Sequence, residues 1–198
     1  FACNGILFNN ESPRRGKTFV TRKVIDTLVD IFIGEKKTLE LGNLDAKRDW
    51  GFSPEYVKFM WLMLQQDSPD DYVIGTGESH SVRELCDSVI EMLGIKGKWV
   101  DKGVEEKFIT ELDIGNIKQG QEIITINPKY FRPTEVNFLQ ANMTKSREKL
   151  NWKSEIFFND LVEIMLNYSF LAKTNKFLFE FSNEVKDKLG NFQWTTIK

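Results

Sequence analysis

Two adjacent guanidiniums, Arg14 and Arg15, stand between Pro13 and Gly16 in the stretch Phe8-Asn9-Asn10-Glu11-Ser12-Pro13-Arg14-Arg15-Gly16, directly after an apolar run. Arginine presents a planar fork of donors that matches phosphate oxygens two at a time. Pro13 and Gly16 shape the loop that would present it. The chemistry this predicts is anion binding where a strand ends. Two neighbouring arginines are ordinary in themselves, and the competing reading is a solvated basic loop. His80, the one histidine, precedes Ser81 at a helix start and reads as a surface neighbour of that helix rather than a catalyst. Cys3 and Cys86 lie far apart in no metal spacing. Buried reduced thiols are the expectation, although a disulfide is open.

The elements that must position these groups alternate between strand and helix. Phe1 to Phe8 is short and apolar and reads as a buried strand of a parallel sheet. Phe19, Val20, Val24, Ile25, Leu28, Val29 and Phe32 recur at helical spacing, with Gly34 placed to stop the helix. Leu39, Leu41 and Leu44 alternate as a strand. Ser53 as N-cap, Pro54 at the first helical position and Glu55 beside the positive end predict a helix to about Gln66. Tyr72-Val73-Ile74 reads as a strand ending at Gly75-Thr76-Gly77. Ser81-Val82-Arg83-Glu84 is a capping box for a helix that stops at Gly94.

From Lys96 the texture changes. Trp99-Val100, Lys107 to Ile109 and Glu122 to Ile126 read as strands, with a turn-rich insertion from Gly115 to Gly120. Pro128 and Pro133 bracket Tyr130-Phe131-Arg132, which is expected to be extended and not helical. Thr144 caps a short helix through Leu150, and a longer helix runs from about Asn159 to Ala172. The tail 173–198 is unassigned. Trp50, Trp61 and Trp152 are expected in the core. The pattern predicts an α/β fold.

With 198 residues, 41% of them hydrophobic, the chain can bury a real core. A net charge of −2 argues against a general nucleic-acid binder, so basic groups that matter are local. No apolar run approaches the ~20 residues that span a bilayer, and the expected compartment is the cytoplasm. Residue 1 already lies inside an apolar pattern and nothing there reads as a signal peptide, so the chain is expected to be a fragment of something longer.

The string Asn4 to Gly16 closely resembles the GDP-mannose 4,6-dehydratase family. The likeness continues in Phe19-Val20-Thr21-Arg22-Lys23, in Leu41 to Gly51, in Trp61-Leu62-Met63-Leu64-Gln65-Gln66, in Tyr130-Phe131-Arg132-Pro133-Thr134-Glu135-Val136 and in Leu150-Asn151-Trp152-Lys153. It covers most of residues 1 to about 170. The resemblance implies an extended short-chain dehydrogenase, with an NADP-binding Rossmann-type fold and a smaller α/β nucleotide-sugar domain. Residues 1–95 would hold Rossmann strands and helices interleaved with substrate-domain segments, and 96–172 mostly the substrate domain. The implied reaction is NADP-dependent: hydride leaves C4 of GDP-mannose, water is eliminated across C5 and C6, and hydride returns to C6, giving GDP-4-keto-6-deoxymannose.

The resemblance also assigns residues. Arg14 and Arg15 match a loop that reaches a neighbouring subunit's NADP in a homo-oligomer. Leu7 would lie beside the nicotinamide unless it is plain core. Asn10 stands where the family usually has His, near the cofactor; it keeps hydrogen-bonding capacity but carries no charge. Asn9, Val20, Lys23 and Arg48 match the GDP-sugar site, with Lys23 a point charge for the diphosphate and Arg48 a fork. Arg132 and Glu135 are read as a pair, guanidinium on diphosphate and carboxylate on ribose; the alternative is a local ion pair, worth little if exposed. The family's Gly-rich cofactor motif and its Tyr-x-x-x-Lys pair do not occur in this sequence. No catalytic residue is therefore assigned, and the chain alone is expected not to turn over substrate. The competing function is a non-catalytic nucleotide-sugar-binding or assembly module. A related reductase or epimerase is disfavoured by the Asn-Glu-Ser-Pro-Arg-Arg-Gly string.

Overall fold

The computed structural model describes residues 1–132 and 134–190. In chain order its strands are β1 (Gly5–Leu7), β2 (Asn9–Glu11), β3 (Leu39–Leu41), β4 (Lys47–Arg48), β5 (Trp50–Phe52), β6 (Tyr72–Ile74), β7 (His80–Ser81), β8 (Gly97–Val100), β9 (Lys107–Thr110) and β10 (Glu122–Ile126). The α-helices are α1 (Val20–Ile33), α2 (Ser53–Met63), α3 (Val82–Met92), α4 (Thr144–Leu150), α5 (Phe158–Thr174) and α6 (Asn183–Gly190). The fold is α/β, as the alternation of elements implies.

Local signals account for the firmest helices. In α1 the residues at helical spacing, Val24, Ile25, Leu28 and Val29, are buried. Gly34 ends it at φ 89° in the left-handed region, where its N–H reaches back to the last turn. In α3 the Ser81 hydroxyl accepts from the Glu84 N–H at 3.0 Å, and the Glu84 carboxylate accepts from the Ser81 N–H at 3.1 Å. Helices α1, α3 and α5 pack together over the larger core. That core also includes residues of a four-stranded sheet ordered β3-β10-β9-β8, with β3 and β10 parallel and the other pairings antiparallel. A smaller core gathers Tyr56, Phe59, Met63, Tyr72, Ile74 and Trp152 where α2 and α4 meet β6. Three further two-stranded sheets pair β1 with β6 and β2 with β5, both parallel, and β4 with β7, antiparallel.

Several expectations are corrected. The buried strand over Phe1 to Phe8 is only β1, and it is exposed: Ile6 is 55% and Leu7 36% accessible. Its one partner among the described residues is β6, so its other edge is unpaired. Leu44 is buried but lies outside β3. Phe19 is not on the apolar face of α1; it is its exposed N-cap. Ser53 does not cap α2. Phe52 holds that position, and the Ser53 hydroxyl donates to the Glu11 carbonyl at 3.0 Å. Thr144 likewise opens α4 without capping it, and its N–H donates to the Asn142 side chain at 3.1 Å. Of the segment expected to be extended, only Tyr130 departs: Pro128–Tyr130 is a 3₁₀ turn, because Pro128 presets the backbone and Asn127 Oδ1 accepts from the Lys129 N–H at 3.1 Å, while Phe131 is extended at φ −74°, ψ 132°. The second bracketing proline, Pro133, lies outside the described residues. Trp50 and Trp152 are buried but Trp61 is 60% exposed. The tail contains α6, which docks Val185 and Leu189 into the larger core; positions 191–198 lie outside the described residues. Both cysteines are free thiols, Cys86 buried and Cys3 partly so. Among the described residues no helix is long and apolar enough to cross a membrane.

Candidate functional site

A cleft of about 460 Å³ opens where β2, the start of α1, the link from β3 to β5 and the segment after β10 converge. Asn9, Val20, Lys23, Arg48, Arg132 and Glu135, scattered over 127 positions of sequence, all line it. The remaining walls come from Glu11, Thr18, Phe19, Leu41, Gly42, Asn43, Ala46, Trp50, Val82 and Tyr130. Gly42 is required there: a Cβ would stand 2.6 Å from the Tyr130 carbonyl oxygen, so only glycine lets the two backbones meet.

The basic side chains are held from within the chain. Lys23 Nζ donates to the Glu40 carbonyl at 2.6 Å and lies 3.6 Å from the centre of the Tyr130 ring. Arg48 donates to the carbonyls of Lys47 at 2.8 Å and Val136 at 2.5 Å, and to Glu135 Oε1 at 2.5 Å. Glu135 therefore pairs with Arg48, 87 residues away, and not with Arg132 three positions before it. Arg132 is exposed at the cleft with no ion-pair partner among the described residues. The cleft thus carries one braced guanidinium, one exposed guanidinium and an ammonium on an aromatic face, with carboxylates and amides beside them. That donor set suits a diphosphate, and the acceptors suit hydroxyl groups.

Glu11, missed by sequence reading, is almost fully buried at the wall of the cleft. Its Oε2 accepts from the Thr21 hydroxyl at 2.5 Å and lies 3.3 Å from Arg15 Nε. Burial raises its pKa from the ordinary carboxylate value, against the opposing pull of Thr21 and Arg15.

Leu7, Asn10, Arg14 and Arg15 do not line the cleft. Asn10 Oδ1 is 3.4 Å from the Ser53 hydroxyl that faces it. Arg15 turns onto its own chain, 3.7 Å over the Phe19 ring and beside Glu11, and Arg22 donates to the carbonyls of Pro13 and Arg15 to close the loop. Arg14 is the exposed member of the pair. His80 stacks on Phe158 with ring centres 4.0 Å apart and sits 3.1 Å from Glu84, outside the cleft. No group of His, Cys, Asp and Glu among the described residues could hold a metal ion.

A family model described as GDP-mannose 4,6 dehydratase matches residues 1–165. The human GDP-mannose 4,6 dehydratase is 48% identical over 177 residues, 88% of this chain and 46% of that protein. A GDP-mannose 4,6-dehydratase of Vibrio cholerae serotype O1 is 48% identical over 170 residues, 84% of this chain and 46% of that protein. The chain spans about half the length of the curated relatives it matches. Among solved structures, RMD from Pseudomonas aeruginosa complexed with NADPH superposes with a TM-score of 0.63 at 15% identity, over 84% of this chain and 47% of that one. The dTDP-glucose 4,6-dehydratase of Bacillus anthracis in complex with NAD gives a TM-score of 0.59 at 15% identity, over 86% and 44%. These structural likenesses show the fold.

Proposed function

The chain belongs to the GDP-mannose 4,6-dehydratase family, and on that premise we propose that it supplies the sugar-nucleotide site of a lyase that converts GDP-mannose to GDP-4-keto-6-deoxymannose. One observation carries the reading: Lys23, Arg48, Arg132, Glu135 and Asn9, drawn from separate elements, share a single cleft. In this reading Arg132, Arg48 and Lys23 bind the diphosphate, Glu135 and Asn9 accept from hydroxyl groups, and Val20 packs against the ligand's apolar surface. By itself the chain binds the nucleotide without turning it over, since it holds no Tyr-x-x-x-Lys to serve as acid and base.

NADP is the cofactor this reading implies, and when bound its nicotinamide supplies the hydride acceptor and donor. The residues present fit its phosphate end. Arg14 offers an exposed guanidinium, while Arg15 Nε is held 3.3 Å from Glu11 Oε2 and would brace the loop from behind. Leu7 and Asn10 would border the cofactor. The same loop would reach a second copy in a homo-oligomer, and the compartment consistent with this chemistry is the cytoplasm.

Titration of GDP into the chain, followed by calorimetry, tests the assignment. Weak binding is expected, abolished in Arg132→Ala. An unchanged affinity in that variant would remove the diphosphate role.

A further inference from the structure

Asp49 lies between two residues that line the cleft, Arg48 and Trp50, yet does not line it itself. It is wholly buried and has no ion-pair partner among the described residues. Its carboxylate is satisfied by donors from two other segments. Oδ1 accepts from the N–H and the hydroxyl of Thr76, each at 2.8 Å. Oδ2 accepts from the N–H of Gly77 at 2.9 Å and of Ala141 at 3.0 Å. A buried carboxylate with four donors is well placed, and removing it leaves three backbone N–H groups without their acceptor. The contact is close: a Cβ on Gly75 would stand 2.4 Å from the Ala141 Cβ and 2.9 Å from Asp49 Oδ2.

Ala141 is the far end of the arm that carries Glu135 into the cleft. The near part of that arm is tied to β4, since the Lys47 N–H donates to the Asn137 carbonyl at 2.8 Å and the Leu139 N–H to the Lys47 carbonyl at 3.1 Å. Arg48 adds its bond to the Val136 carbonyl. We propose that Asp49 is a positioning residue: by locking β4, the Gly75–Gly77 loop and Ala141 together, it fixes the Arg48–Glu135 pair in the geometry that binds a nucleoside diphosphate. The inference rests on the reading of the cleft as a sugar-nucleotide site. Asp49 touches no ligand and acts through Arg48.

The test is a double-mutant cycle read as GDP affinity of the full chain, because a residue acting through another loses its effect once that other is gone. Asp49→Asn keeps the shape but turns an NH₂ group toward backbone donors. It is expected to weaken GDP binding about tenfold, the scale of one charge-assisted hydrogen bond. In the Arg48→Ala background the same change is expected to cost almost nothing further. Thr76→Val removes one donor and leaves the rest of the cage. It gives a second, milder cycle that decides the matter should Asp49→Asn fail to fold: a loss of about threefold, again absent beside Arg48→Ala. Losses that simply add in both backgrounds, or an affinity unchanged by these variants, overturn the positioning role alone. Absence of GDP binding by the unmodified chain overturns the reading of the cleft and this inference with it.

Discussion

Glu55 reaches from the first turn of α2 to the chain before α5, where its Oε1 accepts from the backbone N–H of Glu155 at 2.6 Å and of Ile156 at 3.2 Å. Its Oε2 is buried with no partner. Burial pushes its pKa up to about 7, outweighing the two hydrogen bonds that pull it down. A carboxyl whose folded pKa is raised holds its proton in the folded state after the unfolded chain has lost it. Its full contribution is therefore present below the ordinary carboxylate value and declines as pH climbs toward 7. Thermal melts of the chain should show stability falling between about pH 4.5 and 7, by an amount on the order of 3 kcal/mol if Glu55 alone is responsible. Glu55→Gln, neutral throughout, should flatten that slope. An equally steep slope in the variant would place the dependence elsewhere. The sequence shows Glu55 only as a helix-start carboxylate, because the groups it serves are 100 positions away. The same limit explains Glu135, whose local neighbour Arg132 suggests a pair while the fold brings up Arg48.

Among the elements, those with complete local signals were legible. Helix α3 is the clearest case, with the Ser81–Glu84 capping box written in four consecutive residues and present in the structure. Ser81→Ala should cost about 1 kcal/mol of stability, seen as a drop of a few degrees in melting temperature. No measurable drop would mean that the cap adds nothing to the packing of α3 on α1. Helix α1 was equally legible through its apolar spacing and Gly34. Helix α6 was not, since only Val185 and Leu189 of its eight residues are buried and the rest is polar. The exposure of β1 was also hidden. A short apolar run reads the same whether or not other chain covers it, and only the pairing of β1 with β6 alone reveals the open edge. The 3₁₀ turn at Pro128–Tyr130 follows from Asn127 capping its own loop, a signal that the flanking prolines masked.

At the scale of the molecule, the outer face of α2 stands apart. Val57, Met60, Trp61 and the C-cap Leu64 follow the i, i+3, i+4, i+7 rule and are 41–65% exposed, while Phe59 and Met63 on the opposite side are buried. A large aromatic side chain usually buries, so the sequence places Trp61 inside, and the structure leaves it exposed. Trp61→Lys should lower the binding of a hydrophobic fluorescent dye and change stability by no more than about 0.5 kcal/mol, the ordinary range for a surface site. A loss of several kcal/mol would instead mean that the indole is part of the packed structure. The family and the α/β class could be recognised from long strings of sequence, and so could the six residues that meet in the cleft. Its depth and bracing could not, because Gly42 against Tyr130, Glu11 against Thr21 and Asp49 against Ala141 are all contacts between distant segments. The proposed seat for a guanosine diphosphate group in this cleft predicts a definite pattern of protection. Amide hydrogen exchange of the whole chain, with and without saturating GDP, tests it most directly. If GDP binds in the cleft, exchange slows over 9–23, 41–48 and 130–136, with little change in α5. Identical exchange in those three segments, or protection confined elsewhere, would contradict it.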